Sequence, residues 1–134
     1  MDANRAIVLL DTDVMIEVQR GRPGAARWLA SLSDAVAIPA PVAWEMLAGA
    51  RNLDELVRTV RFLRSFAVEQ VDVADSRLAT DLIARLALSS GLSLPDYLIA
   101  AQTLNRRALL HTFNVKHYAA VPGLGIAVPY DRSL

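Results

Sequence analysis

At 134 residues, 54% hydrophobic and only 21% charged, the chain can bury a real core in one domain spanning 1–134, and its surplus of apolar side chains implies that some cover an interface. The absence of cysteine excludes disulfides, thiolate zinc sites and a thiol nucleophile, and suits a reducing cytosol. No run approaches the ~20 apolar residues of a membrane span, and the zero net charge, 14 basic against 14 acidic residues, gives no blanket attraction to nucleic acid.

The first element is the apolar run over residues 6–10, which reads as a strand buried on both faces rather than a signal peptide, because Asp11 and Asp13 cut it short. Residues 13–20 read as a short helix broken by Gly21-Arg22-Pro23-Gly24, and 25–31 as a second helical piece around Trp28 and Leu29. Val36 to Ile38 is a short strand closed by Pro39. Residues 41–50 form a helix containing Glu45. Residues 52–65 form another, in which Leu53, Leu56, Val60 and Leu63 are spaced as a core stripe. Val68 to Val71 is strand-like. Asp75 is placed to cap a helix running to about Ser89, with Leu78, Leu82, Ile83 and Leu86 as its apolar stripe. Ser93 caps the next helix, Pro95 to Asn105, with Asp96 three residues after the cap. Ala108 to His111 is strand-like, Val115 to Tyr118 a helical turn, and Gly125 to Val128 a last short strand. Short apolar strands alternating with amphipathic helices are the pattern of a parallel sheet covered on both faces.

Ligands in such folds collect beyond the carboxyl ends of the strands, where Asp11 and Asp13 fall. Two carboxylates at the end of a buried strand are costly unless a positive charge lies between them. Asp13 either shares that charge or holds the helix start through backbone N–H groups. Glu45 is the only charge between Pro41 and Ala50, so it calls for a partner; Ala48 and Gly49, three and four residues on, leave room beside it. Asp96 sits in the first turn of an otherwise apolar helix. Thr112 and Asn114 follow a strand end, as Asp11 does, and bring short oxygen-bearing side chains. His111 and His117 form no zinc pattern. Oxygen-only ligands select Mg²⁺, with Mn²⁺ as a substitute. There is no phosphate-binding glycine loop, dinucleotide fingerprint or serine triad, which leaves metal-assisted hydrolysis of a phosphate ester. Setting aside Asp11, Asp13, Glu45 and Asp96 leaves 10 acidic residues against 14 basic ones, 13 of them arginine. That balance suits a phosphate-bearing partner, although a GC-rich genome gives the same arginine count.

Four segments together resemble PIN-domain proteins, in particular the VapC-type ribonuclease toxins of bacterial toxin–antitoxin pairs. They are Leu9 to Ile16, Pro41 to Gly49, Asp96 to Ala101, and Thr112 to Tyr118 followed by Val121 to Leu124. The resemblance covers essentially the whole chain. It implies a three-layer α/β/α fold with a parallel sheet of about five strands. It also implies an endoribonuclease with Asp11, Glu45 and Asp96 as metal-binding acids and Thr112 hydrogen-bonding within the site. Asn114 falls where many members carry a fourth acid, Asp13 where asparagine is frequent, and Phe113 where arginine is common. A homodimer, a small antitoxin partner, an RNA substrate and a cytoplasmic location are further implications. Arg20, Arg22 and Arg27, with Arg51, Arg58, Arg61 and Arg64, are candidates for RNA backbone contacts. Two other readings stay open: a catalytically weak module that binds RNA or protein, and a phosphatase or DNA nuclease.

Overall fold

A computed structural model describes residues 7–133; Ala6, assigned above to the first strand, lies outside them. The elements are β1 (Ile7–Leu10), α1 (Thr12–Gln19), α2 (Pro23–Ser31), β2 (Ala35–Pro39), α3 (Ala40–Ala48), α4 (Leu53–Leu63), β3 (Ala67–Glu69), α5 (Val73–Leu86), α6 (Leu94–Asn105), β4 (Leu109–His111), α7 (Val115–Tyr118) and β5 (Ile126–Ala127). The five strands form one parallel sheet in the order β3-β2-β1-β4-β5, flanked by seven helices among the described residues.

β1 is the central strand, and its continuous apolar run follows from that place: Val8, Leu9 and Leu10 are at most 2% exposed, because helices cover both faces. After β1 the chain runs outward through β2 to the edge strand β3. It then crosses back through α5 and α6 to pair β4 with the other side of β1. Strand order reverses between β1 and β4, so a crevice opens beyond their carboxyl ends.

Two elements differ from their sequence expectation. Of the expected apolar stripe of α4 only Leu63 enters the core: Leu53 is 72% exposed and Leu56 and Val60 lie at the surface, while Thr59 faces inward beside Leu63. Periodicity gives the helix, but Asn52 and Arg51 set its start and direction. Asn52 Oδ1 accepts the Glu55 N–H at 2.9 Å, and Arg51 pairs with Glu55 at 2.8 Å.

The cap of α5 is Asp72 rather than Asp75. Asp72 accepts the Asp75 N–H at 2.8 Å, and Asp75 returns the contact to the Asp72 N–H at 3.0 Å. Asp75 is fully buried because Arg106, at the end of α6, needs it. The guanidinium donates to both Asp75 oxygens (2.9 and 3.0 Å) and to Glu69 (3.1 Å), and Asn105 adds a fourth bond at 2.9 Å. One half-buried cation therefore ties β3, α5 and α6 together. Burial pushes the Asp75 carboxyl up, but the Arg106, Asp72 and Asn105 bonds outweigh it and bring it to about 2.

Candidate active site

Pairing Leu10 with His111 brings the next residues, Asp11 and Thr112, out together at the carboxyl edge. The Asp11 N–H donates to the His111 carbonyl at 3.0 Å. The Asp11 side chain is 5% exposed. One oxygen accepts the Thr12 N–H at 2.8 Å, which makes Asp11 the N-cap of α1; the other accepts the Thr112 hydroxyl at 2.8 Å. Thr112 Oγ1 in turn accepts the Asn114 N–H at 2.9 Å. The Asp11 carboxyl is raised to about 7, chiefly by burial and then by the charge of Asp13; the Thr112 and Thr12 bonds only partly offset this, and Asp96 raises it further.

With Asp11 capping α1, Asp13 is free for another task. It reaches across to the loop after β4, accepting the Phe113 N–H at 3.1 Å through one oxygen. Its other oxygen is buried without a hydrogen-bond partner. Burial raises the Asp13 carboxyl, against the Phe113 and Val14 N–H groups, the charge of Arg132 and the Thr112 hydroxyl.

Glu45 is half-buried on α3 and accepts the Thr12 hydroxyl at 3.0 Å. Its carboxyl is raised by burial, lowered by Thr12 and raised again by Asp96. Asp96, in the first turn of α6, accepts the Ser93 N–H at 3.0 Å through one oxygen and the Tyr118 hydroxyl at 3.2 Å through the other. Tyr118 is fully buried; its phenol is raised by burial and then by the charges of Asp11 and Asp96.

Asn114 caps the start of α7 by position, but its side chain makes no hydrogen bond among the described residues. His111 is buried edge-on against Trp28, with ring centroids 5.1 Å apart, and burial lowers its pKa. It is buried, with its Nδ1 left without a hydrogen-bond partner. Thr12 and Tyr118 were not singled out from the sequence. Each orients one of the acids, as second-layer partners orient ligands in metal sites.

The acids share one crevice, and their charges act on each other in the pairs Asp11–Asp13, Asp11–Asp96 and Glu45–Asp96. Among the described residues no three of them draw together into a closed metal cage. What they form is a like-charged set of hard oxygens, buried at Asp11 and half-buried at Asp13, Glu45 and Asp96. Asp13 keeps one oxygen unpartnered, and Asp11 has no cation among the groups that set its pKa. That donor set fits a hard divalent cation such as Mg²⁺ or Mn²⁺ and no soft one.

A groove of about 650 Å³ leads away from Thr12 and Glu45 between α1, α3 and α4, past Gly49, Arg20 and Arg58 to Phe62. Gly49, which lines this groove, ends α3; a Cβ there would lie 3.2 Å from the Glu45 backbone carbonyl of the last turn.

Residues 8–122 match the family model of the PIN domain. Ribonuclease VapC19 of Mycobacterium tuberculosis is 34% identical over 120 residues, covering 87% of this chain and 95% of that protein. Ribonuclease VapC10 of the same organism is 34% identical over 132 residues, covering 94% and 98%. Among solved structures, a toxin–antitoxin complex from Klebsiella pneumoniae contains a chain 27% identical, with a TM-score of 0.75, covering 92% of this chain and 98% of that one. The family match, which spans β1 to β4 and the three segments bearing Asp11, Glu45 and Asp96, together with two relatives above 30% identity over nearly their whole length, makes this chain a member of the PIN-domain family, of the VapC type.

Proposed function

We propose that this protein is a Mg²⁺-dependent endoribonuclease, with Mn²⁺ as a substitute, and the toxin of a toxin–antitoxin pair. The observation that carries the reading is Asp11: a buried carboxyl pushed to about 7 beside two further acids with nothing positive to answer it. The names of its relatives, ribonucleases and a toxin–antitoxin complex, support the substrate class and the partner.

In this reading Asp11, Glu45 and Asp96 would hold the cation, with the unpartnered oxygen of Asp13 as a further donor. When bound, the ion supplies charge stabilisation at the phosphate and a more acidic water. Thr112 fixes the Asp11 carboxylate and Tyr118 the Asp96 carboxylate, so neither has to reorganise during reaction. Glu45, half-buried beside the groove and raised by burial, is suited to take the proton of an attacking water. Arg20 and Arg58, which line the groove and form no ion pair among the described residues, neutralise phosphates of the bound strand. Arg51 does not, being held by Glu55. Exposed apolar residues such as Trp44, Leu53 and Leu88 supply surface for a second copy of the chain and for a small antitoxin. The protein acts in the cytoplasm.

The test is cleavage of RNA, DNA and a phosphomonoester, side by side, by protein freed of any partner. RNA alone is expected to be cut with Mg²⁺ or Mn²⁺, and chelator or Asp11→Asn reduces cutting to background. The absence of charge at Asn114 favours one rival, a catalytically weak binding module. RNA binding with no cleavage in either metal would establish that rival and refute the proposal.

A further inference from the structure

The descending chain after β5 does not trail into solvent. Tyr130 packs edge-on to Phe113, with ring centroids 5.3 Å apart, and lies against Trp28 at 6.1 Å. Its hydroxyl donates to Glu17 on α1 at 3.3 Å. Asp131 then closes a turn by accepting both the N–H and the hydroxyl of Ser133 (2.9 and 2.6 Å). Between these anchors the Arg132 guanidinium lies over the face of Phe113, 3.9 Å from the ring centroid.

Phe113 is the residue whose N–H holds Asp13, so the stack sets a guanidinium at the edge of the acidic crevice. Among the described residues, Arg132 is the one cation whose charge bears on Asp11, Asp13 or Glu45, acting on Asp13. Yet it forms no ion pair and no hydrogen bond with any carboxylate among the described residues, and it is exposed. A guanidinium stacked on a ring keeps its N–H edges free for a planar, bidentate acceptor, and stacking fixes its orientation at little entropic cost. A purely structural arginine in this place would spend those donors on Asp13 or Asp131.

We infer that Arg132, carried by the terminal segment and aimed by the Phe113 ring, is a substrate-contacting residue that grips a backbone phosphate of the RNA strand on the Asp13 flank of the site. The groove of Arg20 and Arg58 begins at Thr12 and Glu45, on the other flank of α1's first turn. Arg132 therefore extends the cationic track across the scissile position, so that phosphates on both sides of the cut are held. The inference rests on the ribonuclease reading.

The test measures binding of a labelled single-stranded RNA oligonucleotide to the full chain in the Asp11→Asn background, across a range of salt. Arg132→Ala is expected to weaken binding about tenfold at low salt and to reduce the slope of log K against log salt by about 0.7, the value for one phosphate contact to a single strand. Arg132→Lys should restore the slope but not the full affinity, because it lacks the fork and the stack. An unchanged slope in Arg132→Ala, with only a lower melting temperature, would falsify the contact and leave Arg132 as a clamp for the terminal segment. Absence of RNA cleavage by the wild-type protein with Mg²⁺ or Mn²⁺ overturns the ribonuclease reading and this inference together, whereas intact wild-type cleavage with an unchanged slope in Arg132→Ala overturns this inference alone.

Discussion

Thr112 joins both ends of the site through one hydroxyl: it donates to Asp11 and accepts from Asn114. Thr112→Val keeps the shape and removes both bonds in a fully buried place. It is expected to lower RNA cleavage ~10–100-fold, as loss of a partner behind a metal ligand does, and to cost ~1–3 kcal/mol of stability by urea denaturation. Thr112→Ser should recover most of both. The acids themselves were legible in the sequence because each stands alone among apolar neighbours, and burial without a partner is visible in a string of letters. The hydroxyls of Thr12 and Tyr118 were not, because their partners lie 33 and 22 residues away and a threonine or tyrosine is tolerable almost anywhere. The sequence allows Asp13 two roles; in the fold Asp11 is the N-cap of α1, and Asp13 accepts the Phe113 N–H across the crevice.

At the scale of elements, the same apolar spacing has opposite consequences in α4 and α5. Leu82 and Ala79 of α5 enter the core, while Leu53 and Leu56 of α4 face outward. Periodicity reports that one face of a helix is apolar, not what covers it. Leu53→Lys is accordingly expected to change stability by less than ~0.5 kcal/mol. The Arg106 cation that links β3, α5 and α6 behaves otherwise. Arg106→Ala leaves the fully buried Asp75 charge without its partner and is expected to cost ~3–5 kcal/mol in urea titrations. Asp75 sits at about 2 when folded against an ordinary 3.8. Its stabilising contribution is present above pH 3.8 and is lost as pH falls through that value toward about 2. Arg106→Ala should therefore flatten the acid limb of the stability profile there. The strands, the helices and the parallel sheet were readable from apolar runs and helix signals. This latch was not, because Arg106 reads as one more surface arginine at a helix end.

For the whole molecule, the site is a standing source of instability. Between pH 3.8 and about 7 the folded chain keeps a proton on Asp11 that the unfolded chain has released. This group's contribution to stability falls as pH rises through that window and reaches a cost of roughly 4 kcal/mol above it. Asp11→Asn is thus expected to raise the melting temperature of metal-free protein at pH 8 by several degrees while abolishing cleavage. Mg²⁺ should raise the wild-type melting temperature more at pH 8 than at pH 5, and should leave Asp11→Asn nearly unmoved. The sheet order has a further effect, on timing. The strand that bears Asp11 is made first, but the hydroxyl that orients it belongs to a strand 101 residues downstream. At ~5–20 residues per second of synthesis, the first carboxylate waits several seconds on the ribosome for its counterpart. A nascent chain therefore carries its acids in an unassembled and harmless arrangement close to the RNA of the machine that makes it, and becomes a nuclease only after β4 has slotted in beside β1.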